Sequence, residues 1–467
     1  MQFAPRSELE SFLSRNPDIQ LLEVLMPDFN GLLRCKRIQR QEFASLFEGQ
    51  FTVPRTVPLL AIRGDMYTGV DLAEIGGDPD QPLLPVAGTL ARVPWYDTPV
   101  AQVLTAYADS DGQLEWIDPR SPLRRVLDCY AQEQRHPVVA TELEFFLLAP
   151  GDAPRPRPFL GHVPGTGLRQ TGIQYCMADD LFDCDAFLND VRAACEIQGV
   201  PLTAIHSEFS PGQWEINTHH RDDAVLACTD ALLLRRIVKG TARRHGLGAT
   251  FMAKPFDDAG GSGMHIHASV YDGEGRNIFG ELGDDAGEEV SEAAQLTPAL
   301  RHAIAGLEAT VGEAMAIFAP NPNSYRRFRA GAFAPASPSW GYDHREVALR
   351  VPRSAQHSRR IEHRIAGADA NPYLVVAAVL AGMHAGLSAG QEPLAPPVPR
   401  EADLSEQATT LPKRLDEALR LFREGRQLPA YLGEPFVSSY ATVRQGESDD
   451  YHGRVPDLDY EWYLRAL

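Results

Sequence analysis

The chain has 467 residues and carries 63 acidic against 44 basic side chains, which gives a formal net charge of −19. Its hydrophobic content of 44% and charged content of 23% are typical of a globular protein and exclude wholesale disorder. The acid excess argues against nucleic acid as a partner, because a nucleic-acid binder needs a basic face. It favours cationic partners and metals, although a solvated acidic surface is the simpler interpretation.

The ends and the cysteines indicate the compartment. Met1–Phe12 lacks the basic-then-apolar order of a secretory signal. The longest apolar run, Leu374–Leu387, is too short to span a bilayer and contains His384. The six cysteines form no C-x-x-C pair. These features predict a cytoplasmic protein with free thiols and no membrane partner.

In chain order, residues 1 to about 108 predict short strands, including Gln20–Asn30 and Val100–Ser110. Turn signals cluster near 110–120 and predict a domain boundary there. Beyond it, the predicted helices are Leu123–Gln134, Asp185–Gln198, Asp222–Arg244, Pro298–Phe318, Pro372–Leu387, Pro412–Arg423 and Leu458–Leu467. Gly280–Glu292, which is acidic, and Gln391–Glu401, which is Pro-rich, are expected to be exposed loops.

Polar side chains recur with a period of two on several predicted strands of the C-terminal part. Glu142 and Glu144 share one face of Val138–Ala149, because successive side chains of a strand point to opposite faces. The same spacing relates His265, His267 and Ser269; Arg360, Glu362 and Arg364; His206 and Glu208; and Gln213, Glu215 and Asn217. Arg350 adds a further cation on a nearby strand.

Each pair alone is most simply the solvated side of a half-buried strand or a surface charge ladder. The combination weakens that interpretation, because carboxylates on one sheet would repel each other without cations. Oxygen-rich ligands with a single imidazole suit Mg²⁺ or Mn²⁺, and nearby arginines would bind phosphates or a carboxylate. The pattern therefore indicates phosphoryl transfer, although the chain has neither a P-loop nor a protein-kinase motif set.

Several longer motifs, in the same order, make the chain resemble the glutamine synthetase superfamily over nearly its whole length. The motifs begin at Glu142, Glu208, Gly261, Asn321, Arg345 and Arg360. The resemblance implies an α+β fold, with an N-terminal β-grasp domain at 1–112 and a catalytic domain at 113–467 whose curved antiparallel sheet is backed by helices. It also implies two stacked hexameric rings, a homododecamer with active sites between neighbouring subunits.

The resemblance further implies the site. One metal would be held by Glu144, Glu208 and Glu215, and a second by Glu142, His265 and Glu362. Arg345, Arg350 and Arg360 would bind the ATP phosphates, and His267 and Ser269 would line the nucleotide pocket. Arg327, Arg364 and the backbone around Gly261 would bind glutamate. Glu208, Arg327, Arg345 and Arg350 would be the catalytic residues.

The chain departs from ammonia-using members of the superfamily in one loop. Where they carry a glutamate that attracts ammonium and takes its proton, this chain has Phe333. An aromatic ring cannot accept a proton, but it offers apolar contact to an amine substituent; alternatively, Phe333 only packs the loop. Tyr175 is expected near the amine entrance, and Glu208 with nearby water is the candidate proton acceptor.

These features predict an ATP-dependent ligase that joins glutamate to a primary amine, either a polyamine or a monoamine. The absence of carboxylates near Phe333 slightly favours a monoamine. The alternatives are a glutamine synthetase that uses ammonia and a catalytically silent scaffold of the same fold. Retention of all six metal positions argues against the scaffold.

Overall fold

Two β-sheets organise the molecule, for which the computed structural model describes residues 2–70, 77–109, 111–151, 155–280, 296–329, 334–404 and 410–467. The strands of the first sheet are β1 (Leu21–Pro27), β2 (Leu33–Gln39), β3 (Thr52–Pro54), β4 (Asp80–Pro85), β5 (Ala91–Arg92) and β6 (Val100–Tyr107). Their order is β2-β1-β6-β4-β3, with β5 paired to β6. Among the described strand pairs of this first sheet, only β1 and β6 run parallel. Every residue of β6 is buried, as expected of a central strand.

The second sheet holds the candidate site. Its strands are β7 (His136–Leu148), β8 (Leu202–Ser207), β9 (Gln213–Thr218), β10 (Gly248–Thr250), β11 (Met264–Tyr271), β12 (Trp340–Tyr342), β13 (Leu349–Val351) and β14 (Ile361–His363). The order is β12-β13-β14-β11-β7-β9-β8, and β10 pairs with β7. The described pairings are antiparallel, as predicted, apart from the parallel pair β12 and β13.

Helices connect the strands, and the chain after residue 372 forms only helices among its described elements. They are α1 (Arg6–Arg15), α2 (Phe43–Phe47), α3 (Ser121–Gln132), α4 (Ala178–Gln198), α5 (Ala224–Arg244), α6 (Pro298–Phe318), α7 (Pro372–Ala389), α8 (Leu415–Glu424), α9 (Leu428–Leu432), α10 (Glu434–His452) and α11 (Asp457–Tyr463). By length and composition alone α7 could cross a membrane, but 78% of its residues are buried inside the molecule. It is therefore placed as a core helix, packed against α6.

The predicted elements agree with these bounds to within a turn or two, but the prediction missed α1, which lies in the region expected to form strands, and α10. The helix at Pro298–Phe318 is confirmed with the same ends. The helix predicted from Asp185 begins earlier, at Ala178, because Asp179 and Asp180 favour its first turn. The helix predicted from Pro412 begins later, after Arg414 in extended conformation. Gln391–Glu401 contains neither helix nor strand, as expected of a loop. Most of the predicted loop Gly280–Glu292 lies outside the described residues.

Polar contacts join the two parts of the chain. Asn371 Nδ2 donates to the backbone oxygen of Asp28 at 2.9 Å, and Arg236 Nε donates to Gln102 Oε1 at 2.8 Å. The first sheet ends at Tyr107 with β6, and α3 begins the second part. The predicted boundary after residue 112 lies between these elements and stays a prediction.

Candidate active site

Strands β7, β8, β9, β11, β13 and β14 place their polar residues in adjacent rows. The rows of register partners contain His206, Glu215 and Glu144; Asn217, Glu142 and His265; and His267, Glu362 and Arg350. A shift of one residue in any strand would turn its ligands to the opposite face. The predicted period of two is therefore confirmed, and separate strands bring carboxylates and imidazoles together.

These rows face a cavity of about 540 Å³. The sequence-predicted residues that line it are Glu142, Glu144, Tyr175, Glu208, Glu215, Gly261, His265, His267, Arg327, Arg345, Arg350, Arg360, Glu362 and Arg364. Ser269 instead lines a neighbouring cavity of about 700 Å³, which shares Glu142, His206, Asn217, His267 and Arg360 with the first. Phe333 lies outside the described residues, so its position is not part of this description.

Two histidines hold the Glu142 carboxylate. His267 Nε2 lies 2.8 Å from Oε1, and His265 Nδ1 lies 3.3 Å from Oε2. Burial raises the pKa of Glu142, but these two hydrogen bonds outweigh it and hold the pKa well below its usual range. Arg360 Nε donates to His267 Nδ1 at 3.1 Å, so a neutral His267 carries its proton on Nε2 and donates it to Glu142.

The Glu215 carboxyl has the opposite electrostatic environment. Burial, followed by the charges of Glu142, Glu144 and Glu208, raises its pKa to about 9. For Glu208, burial also raises the pKa, but hydrogen bonds from His206 and from the backbone N–H of Phe209 outweigh it and lower the pKa below its usual value. Glu215, placed among three other carboxylates, therefore holds its proton at neutral pH, and the group is short of positive charge.

This imbalance and the donor types fit divalent cations that prefer oxygen ligands. Among the described residues, three groups have donor atoms that lie within 4.8 Å of one another inside each group. They are Glu142, His267 and Glu362; Glu142, Glu215 and His265; and His206, Glu208 and Glu215. The sets include five of the six predicted ligands, and the sixth, Glu144, has Oε1 3.6 Å from His265 Nε2. Their grouping differs from the predicted division into two metal sites, so that division stays a prediction.

Two arginines balance the negative charge of the Glu362 carboxylate in the cavity. Arg350 Nη1 lies 2.6 Å from Glu362 Oε2, and Arg364 contacts the other carboxylate oxygen. Burial raises the pKa of Glu362, but the charge of Arg364, and after it those of His267 and His265, lower it to about 2. Glu362 is therefore ionised across the neutral range.

Arg327 supplies a buried cation beside Gly261. Its Nη1 donates to the backbone oxygen of Ile365 at 2.9 Å, while its buried Nε has no hydrogen-bond partner within the described chain. A Cβ at Gly261 would lie 2.5 Å from Arg327 Cγ, so only glycine permits this approach. Arg364 likewise has a buried Nε without a described partner. Two incompletely bonded guanidinium groups in the lining of the cavity suit a carboxylate ligand.

The cavity also contains residues that the sequence interpretation did not assign to the site. Gln213 Nε2 donates to Glu144 Oε2 at 3.2 Å, and His206 Nε2 lies 3.5 Å from Glu208 Oε1. The ring of Tyr175 packs edge-on against His206, with centroids 6.0 Å apart. The alternation of His206 with Glu208, and of Gln213 with Glu215, was the available signal, but it does not distinguish a ligand from a supporting side chain.

Comparisons with known proteins agree with this geometry. A family model for the glutamine synthetase catalytic domain matches residues 116–463. The chain is 37% identical to gamma-glutamylputrescine synthetase PuuA of Escherichia coli (strain K12), over 98% of this chain and 94% of that protein. It is 33% identical to glutamate–isopropylamine ligase of a Pseudomonas species, over 87% and 85% of the two chains. The solved structure of apo GmaS without ligand superposes with a TM-score of 0.80 at 24% identity, over 97% and 99% of the chains, which confirms the predicted fold.

Proposed function

Because the chain belongs to the glutamine synthetase family, we propose that it is an ATP-dependent ligase that joins the γ-carboxylate of glutamate to an organic amine through γ-glutamyl phosphate. The similarity to two enzymes whose names describe the joining of glutamate to an organic amine, over most of each chain, carries this proposal. The two adjoining cavities, one rich in carboxylates and arginines, support it. By the same resemblance, we propose two domains, a cytoplasmic location and a homododecamer of two stacked rings.

We assign the arginines that line the cavity to two ligands, glutamate and ATP. We propose that Arg327, Arg364 and the backbone at Gly261 hold glutamate, and that Arg345, Arg350 and Arg360 hold the phosphates of ATP. His267 and Ser269 would line the nucleotide pocket, since both border the neighbouring cavity. A carboxylate does not react with an amine at neutral pH because its oxygen leaves poorly, so the γ-carboxylate must first accept the γ-phosphoryl group.

The acidic residues would hold the metal ions that neutralise charge in that step. Glu142, Glu144, Glu208, Glu215, His265 and Glu362 would hold two divalent cations, Mg²⁺ or Mn²⁺, whose chemistry when bound is to neutralise charge on the phosphoryl group. Glu208 is the proposed acceptor of the amine proton, with Tyr175 beside the entrance. His206, 3.5 Å from Glu208, would orient that carboxylate.

The amine is tested by measuring ADP release with ATP, glutamate and each of putrescine, isopropylamine, ethanolamine and ammonium. We expect at least one organic amine to exceed ammonium in kcat/KM, with a γ-glutamyl amide as product. Activity with ammonium that equals or exceeds every organic amine would instead identify a glutamine synthetase. No ADP release with any of them would support the silent scaffold.

Phe333 is tested by Phe333→Glu, with Phe333→Ala as the matched control. If the ring selects substituted amines, the glutamate variant should use ammonium better than the wild type, because a carboxylate can attract ammonium and take its proton. The alanine variant should lose organic-amine activity without gaining ammonium activity. An unchanged amine preference in both variants would reject Phe333 as the selector.

A further inference from the structure

A third cavity, also of about 700 Å³, lies apart from the candidate active site and shares no described lining residue with either of the two cavities there. Five cations line it, and we name it the basic cleft by those residues: Arg34, Arg235, Arg236, Lys239 and Arg243. It forms where the first sheet meets α5, since Arg34 belongs to β2 and the other four belong to the helix. Such a concentration of positive charge is unexpected in a chain with a net charge of −19.

Three of the cations form one stripe on α5. Arg235, Lys239 and Arg243 are spaced by four residues, which places them on the same face of the helix. Like charges at this spacing repel each other and destabilise a helix unless an anion lies between them. Desolvation lowers the pKa of Lys239, and the positive charges of Arg235 and Arg243 lower it further. Arg235 and Arg243 therefore each lie close enough to Lys239 to repel its charge.

The inner end of the stripe is buried and incompletely bonded. Arg235 is 7% exposed, and its Nη2 donates to the backbone oxygen of Ala370 at 2.5 Å. Its Nε is buried and has no hydrogen-bond partner among the residues that the structure describes. A buried guanidinium N–H without a partner is costly, so the described chain satisfies the Arg235 guanidinium only in part.

Acidic residues of the chain neutralise only part of this charge. Arg34 pairs with Asp28, and Arg236 pairs with Glu23. Lys239 and Arg243 have no ion pair within the described part of the chain. Asp369 is the one carboxylate among the described residues of the lining, and its Oδ2 accepts hydrogen bonds from Asn321 and Ser324. Three uncompensated cations against one carboxylate leave a charge that a dianion would match.

We propose that the basic cleft is a binding site for a small dianion that carries carboxylate or phosphate groups. A small molecule fits better than an acidic protein segment, because a protein segment would reach only the exposed Lys239 and Arg243, whereas Arg235 is buried. The site is independent of the proposed ligase chemistry. Its lining includes Asn321 and Asn323, which begin the segment that ends at Arg327 in the candidate active site, so a bound anion would lie beside that segment.

Isothermal titration calorimetry of the full chain at low ionic strength tests the proposal, with succinate and inorganic phosphate as separate probes. We expect one anion per chain for at least one probe, and the tighter probe indicates which group the cleft prefers. The double variant Lys239→Ala with Arg243→Ala should weaken binding at least about tenfold. The matched control is Arg192→Ala with Arg420→Ala, which removes the same charge from two exposed ion pairs and should leave binding unchanged.

The variant Arg360→Ala separates the basic cleft from the candidate active site. If the cleft binds the anion, this variant keeps the wild-type affinity, whether or not the chain proves to be a ligase. Loss of binding in Arg360→Ala with full binding in the Lys239/Arg243 double variant would place the anion in the other cavity and overturn the proposal. The absence of binding of both probes at about 10 mM would also overturn the proposal. An acidic segment of a second copy that occupied the cleft would produce the same result.

Discussion

Glu215 illustrates how neighbours determine the state of one side chain. Its burial among Glu142, Glu144 and Glu208 raises its pKa to about 9, whereas Glu362, paired with two arginines, has a pKa near 2. The same residue type is therefore protonated at one position of the sheet and ionised at another at neutral pH. A divalent cation among the four carboxylates would displace the Glu215 proton, since a metal binds the ionised form.

The substitution Glu144→Gln tests the metal assignment at this scale. It keeps the size of the side chain and an oxygen that can accept the N–H of Gly263, which now lies 2.8 Å from Glu144 Oε2. We expect the affinity for Mn²⁺ to fall at least tenfold, measured by calorimetry or electron paramagnetic resonance. The control Glu461→Gln changes an exposed glutamate and should bind Mn²⁺ as the wild type does. Unchanged Mn²⁺ affinity in Glu144→Gln would contradict the assignment.

A second residue-scale prediction concerns Glu308, which is 7% exposed and accepts the backbone N–H of Leu394 at 2.9 Å. Burial raises its pKa from 4.5 to about 7, against the opposing effect of that hydrogen bond. The folded state therefore holds the proton more tightly than the unfolded chain does, and the free energy of unfolding decreases as pH rises from about 4.5 to about 7.

Glu308→Gln should remove this dependence because its amide does not ionise. At pH 8 we expect the variant to be more stable than the wild type by up to about 3 kcal/mol, and this difference should shrink towards pH 5. Urea unfolding at the two pH values measures it. Glu461→Gln again serves as the exposed control, and an equal difference at both pH values would rule out the raised pKa of Glu308.

At the scale of elements, α6 and α7 approach closely through glycines. A Cβ at Gly306 of α6 would lie 2.1 Å from the backbone oxygen of Gly382 and 2.5 Å from the backbone nitrogen of Gly386, both on α7. Backbone atoms cannot move aside as a flexible side chain can, so glycine is required for this contact. The two helices form the largest helix–helix contact in the described structure.

Gly306→Ala should therefore destabilise the protein by about 1–3 kcal/mol, in spite of the better helix propensity of alanine. Gly312→Ala on the same helix is the matched control, because a Cβ there would meet only Leu421 Cδ1 at 3.7 Å. That variant should be neutral or more stable by up to about 1 kcal/mol. Thermal or urea unfolding compares the two, and equal stabilities would contradict the packing argument.

At the scale of the whole molecule, buried polar contacts connect the first sheet to the helices of the second part. Arg444 of α10 donates to the side chain of Asn30, and both residues are buried. Asn371, at the start of α7, donates to the backbone of Asp28 and also accepts the N–H of Tyr373. Separating the parts would expose these groups without their partners, which is unfavourable for the first sheet alone.

We therefore expect the two parts to unfold together. Differential scanning calorimetry should show a single transition for the wild type, and Asn371→Ala should lower its midpoint without splitting it. Two resolved transitions in the wild type would show instead that the first 112 residues are an independently stable domain.

The sequence by itself determined seven of the helices, the period of two and thus which side chains share a strand face, because side-chain direction follows directly from position along a strand. It did not predict α1 or α10. Helix ends such as Ala178 were harder to predict from the sequence, because a charged first turn shows no apolar period. Only the tertiary structure decided the strand register, which places Glu144 opposite Glu215 and produces the raised pKa. The tertiary structure alone also places Arg34 of the first sheet in the same cavity as the cations of α5. Contacts between residues far apart in the chain depend on the packing of whole elements, which no local pattern encodes.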